Sequence, residues 1–275
     1  MPELPETETI ARDLDRAISG ARITSVDVNR ADVLREVTAR QLAKRVGGVT
    51  IDRAWRRAKL VVLDLSSGDR LVVQPRFTGA LLIDDGSLVP ELLEYSTMQF
   101  SLDDGRKLHY RDVRRLGTVA LMNPARFDEY TSSLGIEPLD PAFTGNHLSL
   151  LLRRSRQAVK KVLMDQRALA GVGNIYANEA LWRAGIDPSR TADRVGLGEA
   201  DALRNAIVDV LSESIALRGT SFRDYRDASG GRGGFVERLQ AYGREGQPCG
   251  RCGRRLIGTH AIDGRTTVLC ANCQK

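Results

Sequence analysis

All four cysteines of this 275-residue chain fall in its last 27 residues, and no other feature constrains the fold as tightly. They stand as Cys249-Gly-Arg-Cys252 and Cys270-Ala-Asn-Cys273, two CxxC knuckles separated by 17 residues. Four thiolates so spaced suit one tetrahedral zinc ion, with Zn–S bonds near ~2.3 Å. Their clustering argues against a disulfide framework. Two redox pairs are the alternative, but no thioredoxin-like βαβ context surrounds them. Four protein ligands leave no open coordination position, so a zinc ion here is structural and not catalytic. Between the knuckles, Ile257–Val268 reads as a hairpin whose tip presents Arg265.

The length admits one large domain or two ordinary ones, and 42% hydrophobic residues support a packed core. No run of 18 apolar residues occurs, so no membrane span is expected. The start is acidic and lacks an apolar h-region, so a signal peptide is not expected and an intracellular, soluble protein is. The net charge of +6 is uneven. Residues 1–148 carry 20 Lys+Arg against 22 Asp+Glu, and residues 149–275 carry 21 against 13. A basic second half is the footprint of a polyanion partner, although a merely solvated basic surface has the same composition.

Residues 5–18 read as a helix, with Ile10, Leu14 and Ile18 on one face and Pro5 in the first turn. Short apolar stretches follow at Ile23–Val28, Lys59–Leu65, Arg70–Val73 and Leu81–Ile83. Others stand at Gln99–Leu102, Lys107–Arg111 and Thr118–Met122, and turn signals separate them. Such spacing predicts an antiparallel sandwich or barrel. Residues 134–147, rich in Pro, Gly and polar side chains, read as a linker. Helical periodicity dominates Leu148–Met164, Ile175–Ala184 and Gly198–Leu217. Residues 220–234 are polar and Gly-rich, which predicts a mobile loop, and there is no internal repeat.

The first six residues, Met1-Pro2-Glu3-Leu4-Pro5-Glu6, carry a chemical reading. A proline at position 2 normally permits removal of the initiator methionine, leaving a secondary amine. An α-amino group titrates near ~8, so a fraction is nucleophilic at neutral pH. Its attack on a sugar or carbonyl carbon gives an iminium, an electron sink, with Glu3 and Glu6 alongside for proton transfer. The alternative is an ordinary first-turn proline.

Three further motifs are polar. Gly171-Val-Gly173-Asn174 between two helices exposes backbone N–H groups that can hold a phosphate, with Arg156, Lys160 and Lys161 upstream. A ligand-free helix–helix turn is the alternative. Arg56-Arg57-Ala58-Lys59 precedes an apolar strand. Asp112-Val-Arg114-Arg115-Leu116-Gly117 places two arginines at an apolar tip, and Gln74-Pro-Arg76-Phe77-Thr-Gly79 offers an aromatic one. Base-extruding enzymes fill the gap they leave with such side chains, although each residue alone also suits a turn or a core.

Together these residues resemble the formamidopyrimidine-DNA glycosylase (Fpg/Nei) family, in its Fpg branch. The resemblance runs from Pro2 to Lys275. It rests on PELPE (2–6), RRAK (56–59), DVRRLG (112–117), LMDQRALAGVGNIYANEALWRAGIDP (163–188), YGREGQPC (242–249) and the two CxxC pairs.

The resemblance implies an α+β fold: an N-terminal antiparallel β-sandwich with flanking helices, a helix–two-turns–helix region, then a zinc finger. The implied bounds are 1–134 for the catalytic domain, 135–147 for a linker, 148–234 for the DNA-binding helices with a lesion-capping loop, and 235–275 for the finger. DNA is expected in the cleft between. The implied activity is excision of 8-oxoguanine and formamidopyrimidines from double-stranded damaged DNA through a proline Schiff base, followed by β,δ-elimination. Pro2 matches the nucleophile, Glu3 the acid on the deoxyribose ring oxygen, Glu6 a carboxylate aiding the Schiff-base steps, and Lys59 the strand lysine. Lys160, Asn174 and Arg265 match phosphate-binding residues, and Arg114 matches the arginine facing the opposite base. Cys249, Cys252, Cys270 and Cys273 match the ligands of one structural zinc. A monomer in the bacterial cytoplasm, associated with the nucleoid and with no membrane partner, is expected.

The sequence departs from the family at QPRFTG, where the family usually reads HLGMSG, and at Leu116, where it usually has Phe. Phe77 and Leu116 are both apolar and can still fill a gap. Gln74 replaces a His tied to one phosphate contact. Rival readings are a Nei-type enzyme for oxidised pyrimidines, a non-catalytic damage-binding protein and a proline tautomerase. The long segment 220–240, the intact Pro2, Glu3, Glu6 and Lys59, and the finger argue against them in turn.

Overall fold

The computed structural model describes residues 2–275 and divides them into two compact units. The first comprises the chain up to Ser133 together with Ile215–Val236; the second comprises Leu134–Ser214 and Glu237–Lys275.

The first unit opens with α1 (Leu4–Ile18), then β1 (Ile23–Val28), β2 (Leu34–Arg35), α2 (Ala39–Val46), β3 (Ile51–Arg57) and β4 (Leu60–Leu65). It continues through β5 (Arg70–Gln74), β6 (Gly79–Asp84), α3 (Pro90–Leu93), β7 (Ser96–Leu102), β8 (Lys107–Asp112), β9 (Thr118–Met122) and α4 (Pro124–Thr131). The strands form a four-stranded sheet, β1-β7-β8-β6, and a five-stranded sheet, β2-β9-β5-β4-β3. Pairing is antiparallel except between β2 and β9. Ile10, Leu14 and Ile18 of α1 share one buried core with Val61, Leu63 and Leu71 of the second sheet and Leu81, Phe100 and Leu108 of the first. Strand β4 is apolar on both faces because both are covered. Val61 and Leu63 face that core, while Leu60 and Val62 join Phe127 of α4 in another cluster.

The sequence reading missed β3 because Asp52, Arg53, Arg56 and Arg57 interrupt its pattern; β3 nonetheless pairs with β4 along its length. Residues 220–234, read from composition as a loop, lack helix and strand but carry hydrogen bonds of their own. Asp227 accepts hydrogen bonds from Ser229 N, Gly231 N and the Arg218 guanidinium at 2.7–3.1 Å. This internal scaffold buries Tyr225 and Ala228 in the main core.

The second unit holds α5 (Gly145–Arg153), α6 (Val159–Met164), α7 (Asn174–Ala184), most of α8 (Leu197–Ala216) and a hairpin of β10 (Ile257–Thr259) and β11 (Thr267–Leu269). The single helix expected over 148–164 is two helices. Between them Ala158 bridges Thr191 and Val159 N donates to Arg190 O at 2.8 Å, so a distant segment captures backbone that periodicity assigned to a helix. No helix among the described residues is long and apolar enough to cross a membrane.

Candidate functional site

In the first unit the chemistry gathers at the start of α1. Glu3 is its N-cap, and Pro2, Glu3 and Glu6 are all buried. Glu3 N donates to Glu6 Oε2 at 2.8 Å, one half of a capping box. The other oxygen of Glu6, Oε1, accepts from Thr220 N at 2.8 Å, so this carboxylate ties the helix start to the root of the 220–234 segment. Thr7 Oγ1 reaches Ala58 O at 3.4 Å, setting the β3–β4 turn beside α1. Ala58 occupies left-handed backbone (φ 52°), which turns the chain sharply and leaves the neighbouring Lys59 half-buried next to the helix start. The structure therefore brings Pro2, Glu3, Glu6 and the Lys59 turn together. Met1, and with it the question of its removal, lies outside the described residues.

The two apolar tips are on the surface. Phe77 is 46% exposed and Leu116 40%, so neither is a core side chain. The Arg114 guanidinium lies 5.1 Å from the centroid of the Phe77 ring, stacking the cation on the aromatic face.

The second unit groups the residues matched to phosphate binding around the β10–β11 loop. Asn174 Nδ2 donates to Thr266 O at 3.0 Å, and Asn178 Oδ1 accepts from Val268 N at 2.8 Å. Arg265 is exposed at the loop tip. Lys160 is fully buried, and its Nζ contacts Thr267 Oγ1 at 2.7 Å, Thr266 O at 3.3 Å and Asp263 at 3.4 Å. Its ammonium therefore sits beneath the loop, where it braces the backbone that presents Arg265.

Two residues in this unit were not singled out from sequence for what they do. Gln166 staples the turns between α6 and α7, donating to Met164 O and Val172 O and accepting from Gly171 N at 2.8–2.9 Å. Glu179, fully buried on α7, accepts N–H bonds from Gln240, Ala241 and Tyr242 at 2.8–2.9 Å. A carboxylate amid the apolar residues Ile175, Ala177, Ala180 and Leu181 of α7 was the available signal.

The four cysteine sulfurs lie within 4.8 Å of one another, and Cys252 Sγ and Cys270 Sγ are 3.5 Å apart. A tetrahedron with ~2.3 Å bonds has edges of about 3.8 Å, so the cluster fits a metal ion. Burial pushes the Cys249 thiol up. The N–H groups of Arg251 and Cys252 lead the contacts that outweigh it and bring it to about 6, while the neighbouring sulfurs push Cys273 up to about 12, so negative charge settles first on Cys249.

A helix–two-turns–helix followed by a four-thiolate finger marks a class of DNA-repair glycosylases, and comparison with known proteins narrows it. Residues 1–119 match the formamidopyrimidine-DNA glycosylase N-terminal domain, and residues 134–226 match the formamidopyrimidine-DNA glycosylase H2TH domain. The whole chain is 41% identical to the formamidopyrimidine-DNA glycosylase of Desulforamulus reducens, covering 99% of it. It is 42% identical to that of Xanthomonas campestris over the full length of both. Among solved structures, wild-type Lactococcus lactis Fpg, in complex with DNA containing N7-benzyl-Fapy-dG, superposes with a TM-score of 0.91 at 30% identity over all of both chains. The Thermus thermophilus protein superposes at 0.87 and 34%, covering 99% of this chain and 98% of its own. The chain belongs to the formamidopyrimidine-DNA glycosylase family.

Proposed function

We propose that this chain is a base-excision-repair enzyme that removes 8-oxoguanine and formamidopyrimidines from duplex DNA and then cuts the strand at the resulting abasic site. The burial of Glu3 and Glu6 at the first turn of α1, directly beside Pro2, is the observation that carries this reading. With Met1 removed, the Pro2 amine attacks C1′ of the damaged nucleoside and the bond to the base breaks. Glu3 delivers a proton to the ring oxygen, so the sugar opens as an iminium on the proline nitrogen. The iminium acidifies the C2′ proton, and successive β- and δ-eliminations expel the two flanking phosphates. Lys59 contacts the DNA, and Glu6 supports the Schiff-base steps. Phe77 and Leu116 fill the vacated space, Arg114 faces the opposite base, and residues 220–234 cap the extruded lesion. Arg265 and Asn174 hold backbone phosphates, and Lys160 acts with them from below the loop. The purine reading is favoured over a pyrimidine one because the full-length relatives are named for formamidopyrimidine.

One Zn2+ held by Cys249, Cys252, Cys270 and Cys273 would supply structure alone, fixing the hairpin that carries Arg265. We further propose a monomer acting at the nucleoid in the bacterial cytoplasm, in keeping with the bacterial relatives. Borohydride added during reaction with 8-oxoguanine duplex traps a covalent enzyme–DNA adduct under this mechanism. Mass spectrometry of the protein first establishes that Pro2 is the terminal residue. Processed protein that yields no adduct on lesion or abasic DNA refutes the Schiff base.

A further inference from the structure

The Phe77 tip and the Arg114–Leu116 tip belong to two crossovers between the sheets. Residues 75–78 carry the chain from β5 in the five-stranded sheet to β6 in the four-stranded one. Residues 113–117 return it from β8 to β9. Gly79 pairs with Asp112 and Gln74 with Thr118, so the crossovers run side by side.

One carboxylate joins them. Asp112 is 1% exposed. Its Oδ1 accepts from Thr78 Oγ1 at 2.5 Å, and its Oδ2 accepts from Gly117 N at 2.8 Å and Tyr110 Oη at 3.3 Å. Thr78 Oγ1, having donated to Asp112, accepts from Arg114 N at 2.9 Å. A single buried relay thus runs from one crossover to the other, and the Arg114–Phe77 stack closes it at the surface. The fit is tight: a Cβ on Gly117 would lie 1.9 Å from Tyr110 Oη and 2.7 Å from Gln74 O. Arg76 and Arg115 both hold left-handed backbone, at φ 45° and 50°. Strained conformations of this kind persist only where the surroundings over-determine them, and the relay's bonds to Thr78, Arg114 and Gly117 lie within two residues of both.

We infer that Asp112 and Thr78 are positioning residues that lock Phe77, Arg114 and Leu116 into one rigid reader of the lesion gap, so that opposite-base discrimination depends on two buried side chains. This rests on the gap-filling reading given above. Phe77 is attached at the residue before Thr78, and Arg114 hangs by its own N–H from the same hydroxyl. A shift of that hydroxyl therefore moves both.

The test measures the ratio of 8-oxoguanine excision opposite cytosine and opposite adenine in Thr78→Val, Thr78→Ser and Arg114→Ala enzymes. Thr78→Val keeps the shape of the side chain but removes both hydrogen bonds. It is expected to reduce the ratio about tenfold, the size of one buried hydrogen bond. Cleavage of single-stranded abasic DNA should be unaffected, and Thr78→Ser should restore the ratio. A general loss of packing would lower both substrates alike and leave the ratio intact. Arg114→Ala that flattens the ratio while Thr78→Val preserves it overturns the relay and leaves the reader standing. Arg114→Ala without effect on the ratio overturns the gap-filling reading itself. Should Thr78→Val fail to fold, Asp112→Asn separates the same outcomes, because an amide keeps one accepting oxygen and its nitrogen, which only donates, cannot serve the second crossover.

Discussion

Glu3 and Glu6 stand three residues apart in a buried first turn, and the proposed mechanism gives them different work. Both oxygens of Glu6 accept backbone N–H bonds, from Glu3 and from Thr220, so this group is fixed in place as a structural and electrostatic support. Under the proposed mechanism Glu3, at the N-cap beside Pro2, gives a proton to the sugar. Only base excision from an intact nucleoside requires that proton; an abasic sugar already opens by itself. Glu3→Gln should therefore lower base excision by a factor on the order of 10²–10⁴, a positioned-acid effect, and slow abasic-site cleavage far less. Equal loss of both activities in single-turnover assays removes the role from Glu3. Phe77 is argued at the same scale. Its exposure makes Phe77→Ala nearly neutral for stability, within about 0.5 kcal/mol, as for other surface changes. Extrusion of a nucleotide costs a few kcal/mol, so loss of the wedge should slow duplex 8-oxoguanine excision and spare single-stranded abasic DNA. A large fall in melting temperature would contradict that assignment.

Among the elements, those with an unbroken apolar pattern were legible, and those whose pattern is interrupted by charge or overridden by distant partners were not. Helix α1 and strands β4, β8 and β9 were read from periodicity, since each has a face buried in the core. Strand β3 was hidden by its arginines, and α5 and α6 are separated by backbone pairing with residues 190–191. The candidate site divides in the same way. Pro2, Glu3, Glu6 and the cysteines form local motifs. The roles of Asp112 and Glu179 depend on partners 34 to 63 residues away and have no local signature. Trp182 is another such case. Its indole lies beneath Arg251 at 4.2 Å in one buried cluster with Cys249, its N–H has no hydrogen-bond partner among the described residues, and we propose that it serves the Cys249 thiolate once the metal is bound. Hydrogen bonds to a ligating sulfur hold it as a thiolate and orient it. Trp182→Phe should therefore weaken zinc binding about 10-fold or more, read by competition with a chromophoric chelator. Unchanged affinity would leave Trp182 a packing residue only.

On the scale of the whole molecule, the two halves differ in charge and in what limits them. The basic second half was visible in composition, as a polyanion-binding protein requires. The acid sensitivity of the first unit was not, because it depends on burial. His109 on β8 is 4% exposed, with Nδ1 2.9 Å from Ser96 Oγ. Burial lowers its pKa below the ordinary 6.5, Asp84 at 3.9 Å opposes the shift, and Lys107 adds to it. The folded state thus holds His109 neutral at a pH where the unfolded chain would protonate it. Between the folded value and 6.5 the unfolded state binds more protons, so stability rises with pH across that window. On acidification, the loss begins as pH falls through about 6.5 and levels off once the folded imidazole is itself charged. The lowered carboxylates Glu8 and Asp227 contribute in a separate, more acidic window, below the ordinary carboxylate range. Urea unfolding of the first unit from pH 7.5 to 5 should show this slope. His109→Gln, which keeps a group able to bond Ser96 but cannot take up a proton, should flatten it. An equal slope in both proteins would mean that the acid sensitivity lies elsewhere.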